Sequence, residues 1–347
     1  MTTQVLHLVG SPTDEFFAEL SGLYAAGCLD VIADDDRWTS TVALVSPDAS
    51  WRFTPDLSAD ALERAAPVPL AAAIARLVES PPDVVVPQMF CVPGMTTYRS
   101  LFDLLGVRLV GNTATTMALA ADKSLARAAV AAAGVRVPDG EVVERGGWPT
   151  TELPAVVKPV DSDNSHGVGL VTRPDQLDAA LEAAWACSPR ALVERYVEAG
   201  REVRCATVEL DGELVCLPLE EYDVDPRRRP IRDAADKLRR DADGRMGLVA
   251  KDDEHAWIVD VADPITPSVH EAARRCHRAL GCRQYGLFDF RIDPDGHPWF
   301  LEAGPYCSFS RTSVVVTMAA AAGIAPVELF ASMVDAAVAR PGVGTPR

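Results

Sequence analysis

The chain has 347 residues, with 50 Asp and Glu against 33 Lys and Arg, giving a formal charge of −17 and a pI near 4.8. A length of this order suggests about two domains or three small ones. A content of 48% hydrophobic and 24% charged residues is that of a globular protein, not a disordered one. The acidity argues against nucleic acid or an anionic membrane as partner, since either needs a basic face.

The apolar run 5–10 ends in Gly-Ser-Pro and predicts a buried strand, followed by a helix over 14–26 with acidic residues in its first turn. Runs 42–45 and 84–87 predict further buried strands, and 61–79 and 97–105 predict helices. A short strand over 108–110 follows Gly106. Strands alternating with helices imply a parallel α/β unit that ends near Gly111 and Asn112. Next comes an alanine-rich helix, 117–133, stopped by Gly134 and Pro138. Residues 155–159 and 170–172 predict two strands of a hairpin around a polar loop, 161–169. A helix over 174–186 and a strand over 192–194 follow. Strands 202–210 and 213–219 pair around Asp211-Gly212, and strands 287–292 and 299–302 pair around Asp295-Gly296. Residues 226–251 predict a long polar loop, and 267–280, 314–323 and 326–338 predict helices. The expected class is α/β, with α+β character in the C-terminal part.

The eight cysteines form no CxxC pair, so zinc-site spacing is missing. The N-terminus lacks the basic and apolar regions of a signal peptide, and no apolar run is long enough to span a membrane. A reduced, cytoplasmic setting is expected. The histidines show no ligand spacing, and His270 and His277 read as structural.

Only four lysines occur, at 123, 158, 237 and 251, and arginine cannot replace a point-charge ammonium everywhere. Lys158 ends a buried strand before the Gly/Ser loop DSDNSHGVG. Backbone amides of such a loop can cradle phosphate oxygens, although an ordinary hairpin loop reads the same way. Asp289 and Glu302 fall near paired ends of two apolar strands, where a carboxylate needs a cation or metal. Arg291 shares the strand face of Asp289. Residues 192–197 run from a strand into a bend, with Glu202 beyond, a pattern that also fits plain structure. The stretch 227–251 carries nine basic residues against four Asp, as a solvated loop or as a lid over an anion.

The order of these features resembles the ATP-grasp fold, in its D-alanine–D-alanine ligase branch. ALAADKSLARAAVAAAGVRVP is similar to that family's central-domain opening, AVVKPVDSDNSHGVGLV to its phosphate-grasping hairpin, and LFDFRIDPDGHPWFLEAGPYCSFSRTS to its metal-binding hairpin and following loop. The resemblance implies an N-terminal α/β domain (1–112), a central ATP-grasp subdomain (113–196) and a C-terminal one (197–347) with a lid at 223–251. It implies ATP, with Lys123, Lys158 and Ser165 on the phosphates, Glu194, Arg195, Tyr196 and Val197 around adenine, and Glu202 on ribose. Lys237 would reach the γ-phosphate from the lid and act in catalysis. Asp289 and Glu302 would hold two Mg²⁺, with Mn²⁺ as an alternative. Small-molecule substrates and a homodimer are implied as well.

The acceptor half departs from the pattern. Leu287 stands where D-alanine ligases carry an arginine, Gly304 where they carry an asparagine, Cys307-Ser308 where they carry proline–glycine, and Leu238 where they carry a lid tyrosine. Arg291 and Ser313 are the candidates left for the acceptor side. VLHLVGSPTDEFF, PQMFCVPGMTTYRSLFDLLG, KPVDSDNSHGVGLV, REVRCATV and FLEAGPYCSF more closely resemble the ligases of mycosporine-like amino-acid biosynthesis. That resemblance implies joining serine, threonine or a similar amino acid to mycosporine-glycine, giving imines of the shinorine or porphyra type. The alternative is an ATP-dependent dipeptide ligase.

Overall fold

The computed structural model describes residues 2–162, 166–198, 200–225, 230–231 and 255–340, together with the backbone of 238–240 and 246–248. The strands are β1 (Thr3–Gly10), β2 (Trp38–Val45), β3 (Trp51–Thr54), β4 (Val84–Pro87), β5 (Gly140–Glu144), β6 (Ala155–Pro159), β7 (Gly169–Val171) and β8 (Arg190–Arg195). They continue with β9 (Arg201–Leu210), β10 (Glu213–Cys216), β11 (Glu220–Tyr222), β12 (Leu238–Arg240), β13 (Met246–Leu248), β14 (Ala256–Ile258), β15 (Tyr285–Ile292) and β16 (Pro298–Ala303).

The first sheet has the order β3-β2-β1-β4. β1 pairs parallel with β2 and β4, but β3 folds back antiparallel onto β2. The sheet is therefore mixed, not wholly parallel. The tight turn at Ala49, in the left-handed region, allows the return, and fully buried Trp51 rewards it. The expected strand over 108–110 is reduced to one parallel bridge, Val85 to Leu109. It stops at Gly111, whose positive φ is matched by a close approach of the Tyr285 hydroxyl that would exclude any Cβ.

Two expected helices are each broken in two. Pro67 and Pro69 split 61–79 into Ala59–Arg64 and Leu70–Glu79. Asp122 separates Ala114–Ala121 from Lys123–Ala132 and caps the second, accepting from the Ser124 and Leu125 amides.

The second sheet, β5-β8-β6-β7, is antiparallel throughout. The third runs β14-β11-β9-β15-β16, with β10 also on β9, and is antiparallel as well. β15 is buried at every residue. Phe288 and Phe290 pack into a core with Val269, Ala273 and Cys276 of the helix Thr266–Ala279. Alternation then sends Asp289 and Arg291 to the opposite face. A separate core joins Val84 and Val86 of the first sheet, Ala206 and Leu287 of the third, and Leu329 and Phe330 of the helix Pro326–Val338. A ribbon of β12 and β13 lies within the stretch expected as a loop. Among the described residues no single helix is long and apolar enough to cross a membrane.

Candidate nucleotide site

One cleft is lined from both the second and the third sheet: by Val156 and Lys158 of β6, Glu194 and Arg195 of β8, Glu202 of β9, Asp289 and Arg291 of β15, and Leu301 and Glu302 of β16. Lys123, Pro138, Ser162, Tyr196, Val197 and Ile231 complete much of the wall. Every residue proposed for the nucleotide that falls within the described set lines this one cleft. Ser165 and Lys237 lie outside the described residues.

The charges are held in pairs. Lys158 Nζ lies 2.6 Å from Glu194 Oε2 and donates to the Leu301 carbonyl, tying β6 to β16. Arg127 Nε lies 3.2 Å from the other oxygen of Glu194. Lys123 Nζ donates to the Ser162 carbonyl and sits 3.6 Å from Glu302. Lys123 opens its helix, and its own amide bonds the Val160 carbonyl, so the capping by Asp122 fixes where the ammonium points. The Arg195 and Tyr196 amides are taken by the Asp139 and Pro154 carbonyls. Val197 lines the cleft, and its N–H has no backbone acceptor among the described residues.

On the third sheet, strand register aligns two rows of side chains. Glu220, Arg204, Asp289 and Glu302 form one row across β11, β9, β15 and β16. Tyr222, Glu202 and Arg291 form the next. Directly paired residues share a face, so each row is a line of facing side chains. Asp289 and Glu302 are Cα partners, at a shift of register between Asp289 and Phe290 that lets them face each other.

Two residues were expected at the acceptor side, Arg291 and Ser313. Arg291 donates to Glu202 at 2.7 Å and to the Pro230 carbonyl, and lies over the Tyr196 ring. It therefore positions the Glu202 carboxylate. Ser313 sits at the start of the helix Val314–Ala321, with its Oγ 3.7 Å from Cys307 Sγ, and is not among the residues lining the cleft. Sequence reading missed Arg204, whose Nε donates to both oxygens of Asp289 at 2.8 and 3.1 Å. Burial alone would depress this guanidinium's pKa. The charges of Asp289, Tyr222, Glu220 and Glu302 together outweigh that and hold it well above its ordinary value. The one clue in sequence was a charged residue at an even position in an apolar strand, two after Glu202.

His277 and His270 bond Thr207 and the Leu217 carbonyl. These are local structural contacts, as the sequence suggested.

A family model described as D-ala D-ala ligase C-terminus matches residues 131–335, more than half of the chain. The chain belongs to the D-alanine–D-alanine ligase family. Members are ATP-dependent ligases that form C–N bonds and release ADP, and this chain is such an enzyme. It is 32% identical over 248 residues to the vancomycin B-type resistance protein VanB of Enterococcus faecalis, covering 70% of this chain and 69% of VanB. It is 34% identical over 256 residues to the D-alanine–D-alanine ligase of Mycolicibacterium smegmatis, covering 70% of this chain and 65% of that protein. Among solved structures, the VanG D-Ala:D-Ser ligase of Enterococcus faecalis superposes with a TM-score of 0.76 at 21% identity, covering 96% of this chain and 99% of VanG. The D-alanine–D-alanine ligase of Coxiella burnetii gives 0.74 at 17% identity, covering 97% and 94%. These likenesses establish the ATP-grasp fold of the family.

Proposed function

We propose that the chain is a dipeptide-type ligase. ATP phosphorylates an acceptor carboxylate, and the amine of a second amino acid attacks the acyl phosphate and expels phosphate. The observation that carries this reading is the cleft itself, which gathers two lysines and two facing carboxylates beside the Val197 amide, which has no backbone acceptor among the described residues. In this reading Lys123 and Lys158 hold phosphates, the Val197 amide meets the adenine edge, and Glu202, fixed by Arg291, accepts from ribose hydroxyls. Asp289 and Glu302 are hard oxygen donors facing each other on the cleft wall, a set that fits Mg²⁺. Bound there, the ion would neutralise phosphate charge. The protein's part is positioning and charge stabilisation. Lys237 would complete the site from the lid.

A second reading concerns the acceptor, and the region beyond Asp289 favours it. Leu287 is buried there, and the Gly304 amide donates to its carbonyl. A Cβ on Gly304 would lie 3.4 Å from the Tyr306 ring. Tyr306 meets Phe90 edge-on at 5.7 Å, and Phe90 meets Tyr24 at 5.0 Å. An aromatic cluster beside the acceptor would suit a flat conjugated ring better than a small amino acid. The acceptor would then be mycosporine-glycine, phosphorylated on its ring enolate oxygen and joined to serine or threonine as an imine.

One experiment separates the readings. The protein is incubated with ATP, Mg²⁺ and either pairs of amino acids, D-alanine and D-serine included, or mycosporine-glycine with serine or threonine. ADP release and product mass are followed. A dipeptide supports the first reading. An imine product, absorbing at longer wavelength than the enaminone, supports the second. No ADP release with any pair refutes both.

A further inference from the structure

Among the cations that meet the carboxylates of the cleft, Arg204 is engaged differently. Lys158 is bound to Glu194 and the Leu301 carbonyl. Lys123 is bound to the Ser162 carbonyl and lies beside Glu302. Both outer nitrogens of Arg291 are used, on Glu202 and the Pro230 carbonyl. Arg204 spends only Nε, on Asp289. Its Nη1 and Nη2 make no hydrogen bond among the described residues, although the side chain is only 13% exposed.

The setting is built to aim this group. The guanidinium lies over the Tyr222 ring, 5.0 Å from its centroid. The Tyr222 hydroxyl is fixed in turn by a 2.5 Å bond to Glu220. The pairing of Nε with both Asp289 oxygens sets the plane of the fork. A fork held on one edge by a carboxylate and on one face by a ring presents its remaining N–H groups in a fixed direction. Those donors stand in the same sheet row as Asp289 and Glu302. The row sets the guanidinium among three carboxylates, Glu220, Asp289 and Glu302, with Lys123 3.6 Å from Glu302. Planar guanidinium donors match the oxygens of a phosphoryl group, to which each charge-assisted bond is short and strong.

We propose that Arg204 is a substrate-contacting residue, its Nη groups binding the phosphoryl group as it passes from ATP to the acceptor oxygen. This rests on the ligase reading but not on which acceptor is used. Binding of inorganic phosphate to the protein saturated with ADP and Mg²⁺ isolates the contact from acceptor identity. Calorimetry should show phosphate bound by the wild type. Arg204→Gln should weaken phosphate by about tenfold or more, with ADP affinity kept within about twofold. Arg204→Lys, which keeps charge but loses the fork, should fall between. Equal phosphate affinity in wild type and Arg204→Gln overturns the proposal. So does a wild type that binds no phosphate, or an equal loss of ADP and phosphate in both variants, which would mark a merely structural residue. If phosphate binding depends on Arg204 while neither acceptor class supports ADP release, the proposed acceptors fail and the phosphate contact of Arg204 stands.

Discussion

Glu194 is buried between Lys158 and Arg127, and that sandwich decides what a substitution costs. A buried ion pair contributes little over an apolar pair, because desolvation offsets attraction. Removing one partner is different, since it strands the other charge. Glu194→Ala is expected to lower the unfolding free energy by about 3–5 kcal/mol in urea titration. The double variant Lys158→Met, Glu194→Leu should recover most of that loss without recovering nucleotide affinity. A loss below about 1 kcal/mol in the single variant would mean that Lys158 reaches water instead. Sequence alone displayed these side chains unevenly. Asp289 and Glu302 stood out because each interrupts an apolar strand. Arg204 did not, because its partner lies 85 residues away, and only the antiparallel register of β9 and β15 brings them together. The same register sets Arg291, expected on the acceptor side, against Glu202.

Between elements, Asp122 joins the helix that carries Lys123 to β8. Its carboxylate accepts from Ser124 and Leu125 and pairs with Arg190 at 2.7 Å. Asp122→Ala should cost about 1–2 kcal/mol as a lost cap and weaken nucleotide binding, since Lys123 is the first residue of that helix. Thermal melts and nucleotide titration would check both. Burial pushes the Asp122 pKa up, but the Ser124 hydroxyl, Arg190 and the Leu125 amide outweigh it, so the folded value lies below the ordinary one. A depressed carboxylate gives its stabilisation in full above the unfolded pKa, about 3.9, and loses it as pH falls through the folded value. Asparagine keeps the cap but not the charge paired with Arg190, so the stability gap between wild type and Asp122→Asn should be flat from pH 5 to 8 and shrink below about pH 4. A gap that grew in acid would contradict the assignment. The sequence showed a helix here but not its break, because alanine-rich residues run through Asp122 without a proline. Strands β3 and β5 were missed for a related reason. Each is short and lacks strict alternation, so only the neighbouring strand marks it as sheet.

At the scale of the whole molecule, the last two helices close a core between the first and third sheets, although they are farthest in sequence from β1. Phe330 is fully buried there, 5.0 Å from Trp38 of β2 and 5.4 Å from Phe309 of the loop after β16. His7 stacks on the same ring, and burial lowers its pKa to about 4, so it stays neutral in that core. A core shared in this way couples the sheets, because neither can expose the junction alone without losing the apolar burial of both. Phe330→Ala should cost about 3–5 kcal/mol as a cavity. Its location decides how that cost appears. If the junction is one cooperative unit, the fluorescence of a variant that keeps Trp38 and replaces the other five tryptophans by phenylalanine, and far-ultraviolet circular dichroism, should shift together to a lower denaturation midpoint. If the N-terminal sheet unfolds separately, fluorescence should move first and leave most of the ellipticity in place. Nucleotide discriminates further, since the cleft lies between the second and third sheets. A saturating ATP analogue should raise both midpoints of the wild type together, because ligand stabilises whatever unfolds with its site. A midpoint for Trp38 that ignored the nucleotide would show that the shared core does not couple the first sheet to the cleft.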